Sequence, residues 1–125
     1  MNVRLLRKVA KHILAEPKRL DMETIADKVE GGRDSPPCGT VGCIAGWACM
    51  LTGSSVNHAD WEKGKRLIDL DSDQAYRLFD YPLGWSSDGW PAKFSKPYVA
   101  AKAARQRARI AVARIEHFIK TKGKE

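Results

Sequence analysis

The sequence predicts an all-α fold, a single compact domain of about five helices around a buried central helix at residues 41–52. Apolar residues recur at helical spacing in several segments. One long stretch, Cys38-Gly-Thr-Val-Gly-Cys-Ile-Ala-Gly-Trp-Ala-Cys-Met-Leu51, carries no charge. A helix that is apolar all round must be buried. Since 125 residues suffice for one hydrophobic core and not for two, we expect residues 1–125 to form one domain.

The residue pattern of the N-terminal third predicts two helices and a loop. The first helix begins after Asn2 and runs to about Ala15, because one face is apolar (Val3, Leu6, Val9, Ala10, Ile13 and Leu14) and Pro17 ends the pattern. A shorter helix is predicted from Asp21, its N-cap, to Val29. Residues 30–37 are predicted to be a loop, because paired glycines and paired prolines resist both helix and central strand.

The central helix is predicted to begin after Thr40, as N-cap, and to end at Gly53. Four small residues recur along it at positions i, i+3, i+4 and i+7: Gly42, Ala45, Gly46 and Cys49. Such a flat face lets a neighbouring backbone approach closely. We therefore expect a larger residue at Gly46 to disrupt the contact.

The residue pattern of the C-terminal half predicts three more helices. Residues 66–79 form two short helices, the second capped by Asp71 with Gln74 three residues later. Residues 80–96 form a loop rich in glycine, proline and aromatic residues. The last helix is predicted from about Pro97 to Thr121.

Charge is distributed unevenly along the chain, whose net charge is +7. Residues 1–20 carry six Lys/Arg against one acid, residues 93–125 ten against two, and residues 21–92 six against twelve. The basic ends can pair with the acidic middle within the fold. Their positive charge exceeds the negative charge of the middle, so a basic surface should remain exposed.

The last helix carries the clearest candidate for a functional site. Its apolar stripe consists of Ala100, Ala104, Ala108, Ala111, Ile115 and Phe118, with Arg107 and Arg114 flanking it through their aliphatic stems. Roughly opposite lie Lys102, Arg105, Arg109 and Lys120. Guanidinium groups suit phosphates and carboxylates. The pattern therefore predicts a non-enzymatic module that binds nucleic acid or an acidic protein, and the alternative is a solvated face without a partner.

Any nucleic-acid contact is expected at the backbone and strongly salt-dependent, since no base-reading motif accompanies the basic residues. Two of the four tryptophans, Trp85 and Trp90, could add a contact loop, because exposed tryptophan is enriched at binding hot spots. Alternatively, they cover the core. Trp47 is predicted to lie in the core.

The cysteines suggest an alternative, a cysteine-centred enzyme or thiol-dependent site. Cys38 and Cys43 lie near the start of the buried helix, where the helix dipole can stabilise a thiolate. A nucleophile also needs a base, and the pattern does not select one histidine among His12, His58 and His117. Buried structural thiols are the favoured interpretation. The cysteine spacings match no common zinc motif, so we expect neither metal nor cofactor.

A third hypothesis is a small-ligand pocket between the central helix and the tryptophan loop, suggested by aromatic content alone. We expect a cytoplasmic protein with free thiols. The N-terminus lacks a signal-peptide pattern, the cysteines are odd in number, and the buried helix is too short to cross a bilayer. The sequence leaves the oligomeric state open.

Three segments and a Trp/Pro-rich loop together resemble a group of small proteins from bacteria and their phages that has no established activity. The segments are Cys38-Gly-Thr-Val-Gly-Cys-Ile-Ala-Gly-Trp-Ala48, Leu70-Asp-Ser-Asp-Gln-Ala-Tyr-Arg-Leu-Phe79 and Arg114-Ile-Glu-His-Phe-Ile119. The loop lies between the second and the third segment, and the similarity covers about residues 20–120. The resemblance implies a compact, largely helical domain encoded by an accessory gene. A phage origin would imply a host-interaction or counter-defence role.

Overall fold

The computed structural model describes residues 1–28, 40–80, 82 and 89–125. Within these residues the fold is mostly helical, which confirms the predicted class. Its helices are α1 (Val3–Ala15), α2 (Ile44–Met50), α3 (Trp61–Ile68), α4 (Ser72–Phe79), α5 (Ala92–Ala100) and α6 (Ala104–Lys120), with short 3-10 turns at Pro17–Arg19 and Val56–His58. Two strands, β1 (Ala26–Lys28) and β2 (Thr40–Gly42), pair antiparallel.

Helix α1 has the predicted bounds. Asn2 caps it, and its side-chain oxygen accepts a hydrogen bond from the Leu5 amide at 3.0 Å. The inner face is buried through Leu5, Leu6, Val9, Ala10 and Ile13. Leu14, predicted on the apolar face, is instead 48% exposed.

The predicted helix from Asp21 to Val29 is wrong. Asp21 caps only a turn, in which its Oδ1 accepts from the Glu23 amide. Residues Ala26–Lys28 are extended and pair with β2, in the register Ala26 with Gly42 and Lys28 with Thr40. Pairing between distant segments overrides the short helical pattern here. The predicted loop at 30–37 lies outside the described residues.

The central helix is shorter than predicted because Thr40–Gly42 is a strand. Helix α2 begins at Ile44, and Cys43 rather than Thr40 is its N-cap, with Sγ accepting from the Gly46 amide at 3.5 Å. Residues 44–49 are all buried, as expected for an uncharged helix. Gly53 follows the helix end in a left-handed conformation, with φ of 107°.

The small residues of α2 admit neighbouring backbone, as predicted. A Cβ atom at Gly46 would lie 1.6 Å from the carbonyl oxygen of Ile25, just before β1. On another side of α2, Ala45 lies against Gly64 of α3. A Cβ atom added at Gly64 would lie 3.0 Å from the Cβ atom of Ala45. Helix α2 is therefore fixed between the sheet and α3.

The two helical pieces after residue 60 are present, and the first begins earlier than expected. Asp60 caps α3 by accepting from the Lys63 amide at 2.7 Å, so the helix starts at Trp61 rather than Arg66. The predicted capping box of Asp71 and Gln74 at the start of α4 is confirmed.

The single C-terminal helix predicted at 97–121 is wrong, and so is the loop predicted up to residue 96. Helix α5 begins at Ala92 and contains Pro97, whereas α6 begins at Ala104. Proline removes one backbone donor from α5. Ala101 is extended and buried, and its carbonyl oxygen accepts from Arg107 Nη1 at 3.1 Å. The extended residues Ala101 and Ala103 therefore divide the predicted helix in two.

Helix α6 lies beside α1 and also contacts α5 and α4. Arg7 of α1 and Glu116 of α6 face each other, with Nε and Oε1 3.9 Å apart. The turn Pro17–Arg19 also contacts α6. In a parallel pair this turn would lie about 15 Å past Glu116, beyond the end of α6. The two helices therefore run antiparallel.

Candidate functional site

The four basic residues predicted to bind a partner lie on the outer side of the C-terminal region. We call Lys102, Arg105, Arg109 and Lys120 the basic ridge. All four are exposed, and none forms an ion pair with any residue that the structure describes. Lys102 lies in the linker before α6, and the other three lie on the helix within an arc of about 60°. Positive charge is therefore presented to solvent along about 22 Å of helix.

The opposite face of α6 anchors the ridge. Ala108, Ala111, Ile115 and Phe118 are completely buried in the core. The predicted stripe is thus correct in its centre, while Ala100 and Ala104 are not buried. Because the inner face is fixed, the outer face has a defined orientation without help from the ridge residues.

Arg114 differs from the expectation that its stem alone would lie against the core. The whole side chain is buried, with 0% exposure. Its guanidinium carbon lies 5.5 Å from the Phe118 ring centre and 5.8 Å from that of Phe94, and Nη2 donates to the Arg77 carbonyl at 3.0 Å. Burial lowers the pKa of Arg114 to about 10, with the charge of Glu125 acting in the opposite direction. This arginine joins α4, α5 and α6 and cannot contact a partner.

Trp90 is not available as a contact residue. It is 7% exposed, its Nε1 donates to the Leu78 carbonyl at 2.9 Å, and its ring meets Tyr98 edge to face. Its placement matches the alternative of a residue that covers the core. Trp85 lies outside the described residues. Trp47 is in the core as predicted, with Nε1 donating to the Arg19 carbonyl.

Cys43 has the environment of a structural thiol. It is 4% exposed, and burial raises its pKa to about 11, against the smaller lowering effect of nearby backbone amides. A nucleophilic cysteine needs the opposite shift. Cys49 is also buried, its pKa is raised by desolvation, and its Sγ donates to the Asp60 carbonyl. Cys38 lies outside the described residues.

The three histidines lie in separate surroundings, and among the described residues no group of three or more His, Cys, Asp or Glu could hold a metal ion. His12 packs on Trp47, with ring centres 4.2 Å apart, and burial lowers its pKa. His58 Nδ1 lies 2.6 Å from Ser55 Oγ, and His117 lies near Glu125.

A cleft of about 530 Å³ opens beside α2. Its described lining comes from the turn after α1, both strands, α2 and the segment after it: Arg19, Asp27, Thr40, Trp47, Met50, Ser54, Ser55, Val56 and Asn57. Neither Trp90 nor a cysteine belongs to this lining. The predicted pocket between the central helix and the tryptophan loop stays a prediction, because most of that loop lies outside the described residues.

Sequence reasoning missed the contribution of α1 to the basic surface. Arg4, Arg7, Lys8 and Lys11 are exposed, and α1 lies directly beside α6. Lys8 turns away, since its Nζ donates to the Leu51 carbonyl at 3.3 Å. The helical spacing of these cations was visible in the sequence. The packing of α1 against α6 was not, because residues more than a hundred positions apart carry no local signal of contact.

Comparisons with known proteins leave the site to be judged on its own geometry. No protein-family model matches the chain, and no curated protein or solved structure is significantly similar to it. Among the residues described, no helix has the length and apolar character needed to span a bilayer.

Proposed function

We propose that this protein is a non-enzymatic binding module that contacts an anionic macromolecule through the basic ridge. The observation that carries the proposal is the exposure of Lys102, Arg105, Arg109 and Lys120 without an ion pair to any described residue. Unpaired surface cations in a row attract polyanions and speed their association. A solvated face without a partner is the alternative that the experiment below tests.

The geometry favours binding over thiol chemistry. The raised pKa of the Cys43 thiol and its burial leave little thiolate near neutral pH. The ridge, in contrast, offers exposed cationic donors, three of which stand on the outer face of α6 while its inner face is fixed in the core. The proposal extends to the setting that the resemblance implies, an accessory protein of phage origin in the bacterial cytoplasm with a host-interaction or counter-defence role.

The test is the affinity for heparin, a soluble sulfated polyanion, measured at several salt concentrations. The ridge variant is Arg105→Glu/Arg109→Glu. The matched control is Lys63→Glu/Arg66→Glu on α3, which changes the net charge by the same amount, and α3 makes no substantial contact with α6. We expect at least a tenfold loss of affinity for the ridge variant and a much smaller loss for the control.

Two results would contradict the proposal. Equal losses for the two variants would mean that heparin responds to net charge rather than to the ridge. Wild-type affinity that does not fall with added salt would mean that charge does not drive the contact. Circular dichroism and a urea melt on each variant exclude unfolding as the cause of a loss.

A further inference from the structure

The outer surfaces of α1 and α6 together form two antiparallel rows of cations. Arg7 faces Glu116 across the helix pair. Because the helices run antiparallel, Arg4 extends toward the level of Lys120, and Lys11 extends in the direction of Arg109. Arg4 and Lys11 are exposed and form no ion pair with the described residues. We call Arg4, Arg7 and Lys11 the α1 row, which lies beside the basic ridge.

Two rows of cations on neighbouring helices can contact two phosphate strands at once. Packed helices have axes about 8–10 Å apart, and lysine and arginine side chains add several ångströms of reach on either side. The phosphate strands of a B-form duplex border a major groove about 12 Å wide. A single strand has one row of phosphates and is typically held by aromatic stacking platforms as well.

The composition of this surface disfavours an acidic protein as the partner. Protein interfaces depend on buried aromatic and large apolar anchors. Among the described residues, the large exposed apolar side chains are Leu14, Tyr76 and Val99, and only Leu14 belongs to α1 or α6. The uncharged exposed positions between the cations of α6 are Gln106 and Ala113, and the one acidic exposed position is Glu116. A surface of cations and small residues fits a phosphate backbone.

One acidic residue interrupts the surface. Glu116 is the only Asp or Glu within α1 and α6, and it lies in line with Arg105, Arg109 and Lys120 on the helix. Its side chain and that of Arg7 are 51% and 61% exposed. An exposed ion pair of this kind contributes little to stability. Its larger effect is electrostatic, because it pairs with Arg7 and adds a negative charge in line with the basic ridge.

We propose that the basic ridge and the α1 row together bind the two phosphate strands of duplex nucleic acid, without reading the bases, and that Glu116 weakens this binding. The inference rests on the proposed function and names the class of its partner. It also makes α1 a necessary part of the site. Binding of this kind releases counterions, so log K falls linearly with log salt at about 0.9 per phosphate contact.

The test measures fluorescence anisotropy of a labelled 20-base-pair DNA duplex of mixed sequence across a salt series. Three proteins are compared: wild type, Arg4→Gln/Lys11→Gln and Glu116→Gln. Removing two contacts of the α1 row should lower the salt slope by about 2 and weaken binding at least tenfold at low salt. Glu116→Gln should act in the opposite direction and tighten binding severalfold, because it frees Arg7.

Control ligands separate this inference from the proposed function. The same strand without its complement should bind more weakly than the duplex, and polyglutamate, as an acidic-protein mimic, more weakly still. Polyglutamate binding that equals or exceeds duplex binding would overturn the duplex assignment and leave an anion-binding ridge in place. An unchanged slope in Arg4→Gln/Lys11→Gln would overturn the two-row site. If the wild-type protein bound none of the polyanions, both proposals would be overturned.

Discussion

Helices α2 and α6 differ in how much of their surface is buried within the same small fold. Helix α2 has seven residues, is buried around its whole circumference over residues 44–49, and contacts backbone where a Cβ has no room. Helix α6 has seventeen residues, one buried face and one face of unpaired cations. We therefore expect that folding and the proposed binding can be changed separately. Substitutions in α2 should alter stability, whereas substitutions on the outer face of α6 should alter affinity.

The largest expected effect is at Gly46. In Gly46→Ala the new methyl would lie 1.6 Å from the Ile25 carbonyl oxygen, a backbone atom that cannot move aside without disturbing β1. We expect a loss of more than about 3 kcal/mol in the free energy of unfolding, at or above the usual range for overpacking. The urea midpoint measures it.

Gly64→Ala is the control for that prediction. Its methyl would lie 3.0 Å from the Ala45 side chain, a much milder contact, and alanine favours helix over glycine. Its urea midpoint should therefore fall less than that of Gly46→Ala. A Gly46→Ala protein as stable as wild type would contradict the close approach of β1 to α2.

A smaller effect is expected on the inner face of α6, at Arg114. Arg114→Ala removes a fully buried stem and leaves the Arg77 carbonyl without its donor, so we expect a loss of about 2–3 kcal/mol. Arg114→Met keeps most of the volume and avoids the desolvation of a charge. It should remain within about 1.5 kcal/mol of wild type in a urea melt. Equal losses in both variants would mean that the buried charge itself stabilises the fold.

The contrast between the two helices also explains what the sequence could predict. The absence of charge near α2 and the alternation of faces on α6 are local patterns, and both give the correct burial. The start of α2 and the strand at 26–28 depend on contacts between separate segments, since the Cys43 amide donates to the Thr24 carbonyl and β1 pairs with β2. At the break at 101–103, the Ala101 carbonyl accepts a side-chain hydrogen bond from Arg107. Local periodicity contains no information about these contacts.

The candidate site was predictable in part for the same reason. The ridge residues follow from the wheel of one helix, and their exposure agrees with it. The environments of Trp90 and Arg114 were not predictable, because aromatic and arginine side chains are amphipathic and their burial depends on which carbonyl they reach. Helix packing, unknown from the sequence, brings the α1 row beside the ridge.

Alkaline pH should lower the free energy of unfolding through the Cys43 thiol of the α2 region. This effect should be smaller than that of Arg114→Ala and larger than that of substitutions on the outer face of α6. Folding raises the pKa of Cys43 from 9.0 to about 11, so its stabilising effect is complete below pH 9 and is lost as the pH rises toward 11. Between pH 8 and pH 10 the loss from this group is about 1 kcal/mol. The difference in unfolding free energy between wild type and Cys43→Ala should shrink by this amount. A constant difference would contradict a protonated, buried thiol.

The smallest effect on stability is expected on the outer face of α6. Arg105→Gln/Arg109→Gln removes two exposed charges that form no ion pair with a described residue, so the free energy of unfolding should change by less than about 0.5 kcal/mol. A urea melt measures the change. A loss comparable to that of Arg114→Ala would mean that the ridge takes part in folding, and the separation between the two helices would fail.

The most direct test of the binding surface is a map of backbone amide chemical shifts on titration with a heparin oligosaccharide. We expect the largest changes around Lys102, Arg105, Arg109 and Lys120, with weaker changes along the outer face of α1 and little change near Lys63 and Arg66 of α3. Changes centred on α3, or spread evenly over all the exposed lysines and arginines, would contradict this expectation.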